Sequence, residues 1–175
     1  GVVSCRGTSD PSGGIDTLIE GFTPVLLMRD NIDGGQQLAP YNLISAWFWT
    51  YEDANGNVRP VRQIDLQRAF LLEGAYRPEI VQAFDRDGDG VLAEAELVID
   101  DDASEAAVRG QLAALGLGNP QIYGQVQPYS INHNVVRGQA ATSDCQSCHS
   151  ENSSLAAPMT LAGRVPGGVL PQFVH

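Results

Sequence analysis

Residues 43–51 read Leu43-Ile44-Ser45-Ala46-Trp47-Phe48-Trp49-Thr50-Tyr51, and this alternation decides the fold class. On a strand, Ile44, Ala46 and Phe48 line one face, with Trp47, Trp49 and Tyr51 on the other. Asn55-Gly56 then supplies a strong tight-turn signal, and residues 58–64 can return as the partner strand. Working upstream, residues 15–28 are mixed and interrupted by Pro24, which suits strand or irregular structure. Residues 1–14 are rich in Gly, Ser, Thr and Asp and read as an extended arm. Downstream, Asp65 is a candidate helix N-cap, with Leu66, Ala69, Phe70 and Leu71 giving an apolar stripe as far as Gly74. Pro78 opens a short helix over residues 79–84, as proline does at a first helical position. A short helix is expected over 93–99. Another is expected over 104–115, with Ala107, Val108, Leu112 and Leu115 on one face and Gly116 closing it. Beyond Gly116 glycine, proline and polar residues dominate, and only the surroundings of two cysteines look locally ordered.

The chain has 175 residues and a formal net charge of −11, with ten Lys and Arg against 21 Asp and Glu. One domain, or one domain with a long extension, fits this length, and such a chain buries a real core without disulfides. The negative charge repels nucleic acid and anionic membrane surfaces, so neither is expected as a partner. The longest apolar runs are too short to span a bilayer, so no membrane insertion is expected. No charged and apolar leader opens the sequence, and any export signal is expected to have been removed.

Residues 85–96 read Asp-Arg-Asp-Gly-Asp-Gly-Val-Leu-Ala-Glu-Ala-Glu, which fits the twelve-residue EF-hand loop. Asp85, Asp87 and Asp89 take positions one, three and five, Gly90 the sharp turn, and Val91 the carbonyl ligand. Glu96 closes the site with two oxygens, while Ala93 at position nine leaves a place for water. Carboxylates this close repel one another, and a hard dication such as Ca2+ relieves that; the alternative is a solvated acidic loop without metal. No convincing second hand is present. Asp53-Ala54-Asn55-Gly56-Asn57 begins like one, but Ile64 falls where the closing Glu belongs. An unpaired hand points to one structural Ca2+ held at ambient calcium, not to a cytosolic sensor.

Three cysteines are present, and two of them lie in Cys145-Gln146-Ser147-Cys148-His149. That is the c-type haem attachment pattern. Two thiols must reach two vinyl groups on one porphyrin edge, and the next residue must swing an imidazole under the iron; one helical turn meets all three demands. A redox dithiol should follow a strand in an α/β pattern, and a zinc half-site needs a second ligand pair, and neither is present. His133 lies twelve residues before Cys145, a span that stretches to about 40 Å, enough to pass a porphyrin edge. It is the first choice for sixth ligand, with Met159, His175 and an open position as the alternatives. A bis-histidine haem has a lower potential than a His/Met haem. Arg137 is a candidate partner for a propionate. The Trp47/Trp49/Tyr51 face is expected in the core, with packing on the haem or on another subunit as the alternative. Cys5 is left over, which points to a free thiol or a bond to another chain; a lipid anchor at this cysteine ranks behind both.

The stretch Ile131-Asn132-His133-Asn134-Val135-Val136, followed by Asp144-Cys145-Gln146-Ser147-Cys148-His149, resembles the haem-binding unit of bis-histidine c-type cytochromes, multihaem ones included. The resemblance covers about residues 126–160 and implies His133 as the distal ligand. This chain departs from those proteins in having one motif where they often string several.

The resulting expectation is an α+β protein: a small strand hairpin plus helices with one EF-hand, followed by a loop-rich C-terminal segment that wraps a haem. Residues 1–40 form the arm and irregular segment, 41–118 the hairpin and EF-hand region, and 119–175 the haem-binding segment. The expected function is electron transfer by a periplasmic or extracellular cytochrome with one covalent haem c and one Ca2+, not enzymatic catalysis. Other redox proteins are the expected partners, along with a homo-oligomer or filament that brings haems together. The alternatives are a peroxidase-like haem enzyme with an open iron position and a calcium-dependent scaffold or binding protein.

Overall fold

A computed structural model describes residues 3–4 and 18–131, then 139, 141, 143–151, 153, 161–163 and 165–174. The fold is α+β, as the alternation of residues 43–51 predicts. Its centre is β3 (Gln36–Glu52), far longer than the run that signalled it. Along one edge β3 pairs antiparallel with β2 (Leu18–Asp30), and past the end of β2 with β4 (Val58–Pro60). Along the other edge it pairs antiparallel with β7 (Gly118–Ser130). The two-residue strands β1 (Val3–Ser4) and β8 (Gln172–Phe173) finish a six-stranded sheet of order β1-β2-β3-β7-β8.

The small hairpin expected from sequence is therefore corrected to a sheet that runs through all three expected segments. Residues 118–130, expected to be loop-rich, form a central strand. Pro120 and Pro128 hid it, yet β7 has a full-length partner on one side and only β8 on the other, so a missing N–H is tolerated. The return strand expected over 58–64 is only Val58–Pro60, because the chain turns into α1 (Gln63–Phe70).

Arg62, not Asp65, stands at the N-cap of α1. Asp65 lies buried in the first turn, accepting from Arg62 Nε at 2.7 Å and Nη2 at 3.1 Å. The helix stops at Phe70 instead of running to Gly74. Glu73 (φ 53°) and Gly74 (φ 87°) reverse the chain between β5 (Leu71–Leu72) and β6 (Ala75–Tyr76), as a two-residue hairpin turn requires. α2 (Pro78–Phe84) has its proline in the first turn as expected. α3 (Asp102–Ala114) takes its cap from Asp101, whose side chain accepts from the Ser104 N–H at 2.7 Å. Gly116 (φ 85°) ends it, its N–H bonded to Ala113 O and that of Leu117 to Leu112 O.

The odd-numbered face of β3 carries the core. Trp47 and Trp49 pack with Leu66, Phe70, Ile80, Phe84, Val108 and Leu112, so all three larger helices lie on that face. Trp47 is 2% exposed, and its indole N–H donates to Val169 O at 2.8 Å, tying the C-terminal strap to the sheet. A second cluster on the same face joins Val25, Leu43 and Val126, with Leu27, Tyr41 and Leu161 against it.

Candidate functional site

Two places were expected to carry chemistry. The acidic loop starts where α2 ends, with Phe84 buried and the Asp85 N–H bonded to Val81 O. Asp85 organises it: Oδ1 accepts from the Gly88 N–H at 2.7 Å and Oδ2 from the Gly90 N–H at 2.8 Å. Asp87 accepts from the Asp89 N–H and Asp89 from the Val91 N–H. Gly88 (φ 77°) and Gly90 (φ 81°) hold the left-handed conformations that curl the loop inward. One carboxylate oxygen from each of Asp85, Asp87 and Asp89 lies within 4.8 Å of the others. Each oxygen has a second lone pair, so the N–H bonds leave acceptor capacity for a cation. Three carboxylates in this arrangement suit any hard divalent ion.

Glu96 is not part of that triad. Its Oε1 accepts from the Arg86 N–H at 2.8 Å and the Asp87 N–H at 3.4 Å, and its Oε2 from the Ala93 N–H at 2.8 Å. These bonds, those of Ala93 and Arg86 foremost, hold its carboxyl below the usual range. The helix expected over 93–99 is corrected to a single turn, closed by Glu96 N–H to Ala93 O. Leu92 and Leu97 pin both ends of that turn into the core; the Val98 N–H then bonds to Glu96 O, and the chain has no regular structure until Asp101 caps α3. Val91 is exposed. Behind the loop the Arg86 guanidinium bonds to Asp100, a contact the sequence did not announce. The second would-be calcium loop serves a turn instead: Asp53 accepts from the Asn55 and Asn57 N–H groups at 2.9 Å and from Arg59 Nε at 3.2 Å.

At the other place, α4 (Gln146–His149) is one turn of helix starting from Cys145. Positions 145, 148 and 149 are three and four residues apart on that turn, the spacing of neighbours on a helix. Cys145 is exposed and its thiol is free. Asp144, whose role was missed in the sequence, fixes the turn by accepting from the Gln146 N–H at 3.1 Å and the Ser147 hydroxyl at 3.2 Å. Asp two residues before the helical turn is an ordinary capping signal and could have been read. The segment is anchored at both ends: the Ile131 N–H bonds to Pro40 O, and Leu161 packs on the second core cluster. The Cys148 and His149 side chains lie outside the described residues, as do Cys5, His133, Arg137, Met159 and His175.

Trp47 and Trp49 are core residues, as their alternation implied. Among the described residues, no helix is long and apolar enough to cross a membrane. Comparison with family models, curated proteins and solved structures finds no match.

Proposed function

We propose that this chain is a periplasmic or extracellular monohaem c-type cytochrome that passes electrons to and from other redox proteins. Cys145 and Cys148 would hold one haem c by thioether bonds, with His149 as proximal and His133 as distal ligand. The distal ligand is the choice implied by the resemblance to bis-histidine cytochromes, and two imidazoles would set a low potential. One Ca2+ would sit between Asp85, Asp87 and Asp89, taking the Val91 carbonyl and, after exchange of its N–H bonds, Glu96.

The observation that carries this reading is the Cys145-Gln146-Ser147-Cys148-His149 pattern on a single helical turn that begins at an exposed Cys145 with a free thiol. The haem supplies the redox couple; the polypeptide supplies attachment, axial nitrogen and the anchoring of the segment to the sheet. Mass spectrometry and visible spectroscopy of protein produced with haem-attachment machinery test it. The expected result is polypeptide plus one haem, with a six-coordinate low-spin spectrum that turns high-spin in His133→Ala. Polypeptide mass alone would end the haem reading, and an unchanged His133→Ala spectrum would move the distal ligand elsewhere.

A further inference from the structure

The inner face of the sheet has two ends. Helices cover the end around Trp47 and Trp49, but the cluster at the other end, around Val25, Leu43 and Val126, includes no helix residue. β7 pairs with β3 only as far as Tyr41, whereas β2 and β3 stay paired out to Asp30 and Gln36, so residues 27–30 and 36–39 project as a two-stranded arm. Alternation puts Leu27, Arg29 and Ala39 on the inner side of that arm, and Ala39 is only 2% exposed. The chain that bears Cys145, Cys148 and His149 leaves from this end and returns to it: the Ile131 N–H bonds to Pro40 O, and Leu161 packs on the second cluster. Arg29 is half-buried here, and among the described residues it is the one arginine with no hydrogen-bond or ion-pair partner. Arg59, Arg62, Arg68, Arg77, Arg86 and Arg109 all have one. Its neighbour Asp30 lies on the opposite side of the strand and accepts from Gln36 Nε2 at 3.0 Å.

We propose that Arg29 binds the haem propionates, and that the inner side of the β2–β3 arm is the wall on which the haem is seated. This rests on the haem reading above and adds where in the fold the group is held. The match is chemical. A porphyrin is an apolar plate with two carboxylates along one edge, and the wall offers Val25, Leu27 and Tyr41 with a single guanidinium at its outer end. A guanidinium presents a fixed fork of N–H donors that takes a carboxylate bidentately. A carboxylate drawn partly out of water needs such a cation beside it. The propionates add negative charge to a chain already at −11, so a guanidinium that no protein carboxylate occupies is where they are best held. The same positive charge near the iron would favour the reduced state.

Resonance Raman spectroscopy and potentiometric titration of the haem-bearing protein test it, with Arg29→Gln, Arg29→Lys and Arg137→Gln as variants. Arg29→Gln is expected to shift the propionate bending band. It should also lower the equilibrium constant for reduction about tenfold, the effect of losing one unit charge at a propionate's remove from the iron in partly buried surroundings. Arg29→Lys keeps the charge but not the fork, so it should hold the potential and still shift the band. Far-UV circular dichroism verifies the fold of each variant, and the Lys variant alone decides the band should the Gln variant fail to fold. A haem-bearing protein whose band and potential are unchanged in the Arg29 variants would overturn the proposal alone. Shifts confined to Arg137→Gln would do the same. A chain that takes up no haem would overturn it together with the reading on which it rests.

Discussion

Gly124 sits directly opposite Trp47 in the β3–β7 ladder, and the approach is so close that a Cβ there would lie 2.7 Å from the indole nitrogen and 3.1 Å from the Pro171 backbone. The glycine thus makes room for the indole hydrogen bond to Val169 O, which fastens the C-terminal strap to the sheet alongside the β7–β8 pairing. Gly124→Ala must push the indole or the strap aside, and overpacking of this kind should destabilise by about 1–3 kcal/mol. Urea unfolding followed by tryptophan fluorescence measures this, and an unchanged midpoint would mean that the strap yields freely. Asp53 offers a second residue-scale test. The Asn57 N–H, then those of Asn55 and the Arg59 side chain, lower its pKa from 3.8 to about 2. A depressed folded-state value stabilises the fold fully above the unfolded pKa, and that contribution fades as pH falls from about 4 towards about 2. The melting-temperature gap between wild type and Asp53→Ala should therefore be widest near neutrality and close in that acid window. A gap independent of pH would assign the loss to the turn's neutral contacts.

At the scale of elements, the acidic loop makes the sharper prediction. Adding Ca2+ should raise the melting temperature with one ion bound per chain, since a ligand of the native state alone stabilises it by mass action. Glu96→Gln should weaken binding at least about tenfold by removing the bidentate closure. Calorimetric titration reads both, and equal affinity in the variant would confine the ion to Asp85, Asp87 and Asp89. The elements that could be read from sequence are those whose signal is local: the alternation of β3, the proline of α2, the Gly116 end of α3, and the glycines of the loop. Those missed depend on distant partners. β7 reads as broken because Pro120, Gly124 and Pro128 punctuate it, yet pairing with β3 along its length makes it a strand. The 93–99 helix has the residues of a helix, but Leu92 and Leu97 must both reach the core and Glu96 caps the turn between them, so packing overrides propensity. The spacing of Cys145, Cys148 and His149 stands out in the sequence because the haem attachment proposed for it would demand that spacing.

For the whole molecule, the charge distribution bears directly on electron exchange. Residues 85–102 hold eight carboxylates against one arginine, so much of the net charge of −11 is concentrated on the loop side of α2 and α3. Such a field draws cationic reagents and repels anionic ones, and salt weakens both effects. Raising ionic strength from about 0.01 M to about 0.15 M shortens the screening length from about 30 Å to about 8 Å. If the chain carries a haem, its reoxidation by an anionic metal complex should accelerate over that range. Reoxidation by a cationic complex should slow, each by roughly tenfold. Bound Ca2+ would cancel two of the clustered charges, so chelation should steepen both dependences in the wild type and change neither in a variant that no longer binds the ion. Stopped-flow rates with the two reagents, with and without chelator, decide the matter. Identical salt dependence for the two would mean that the electron leaves through a part of the surface remote from the acidic cluster, and would turn the search for a docking partner away from basic proteins.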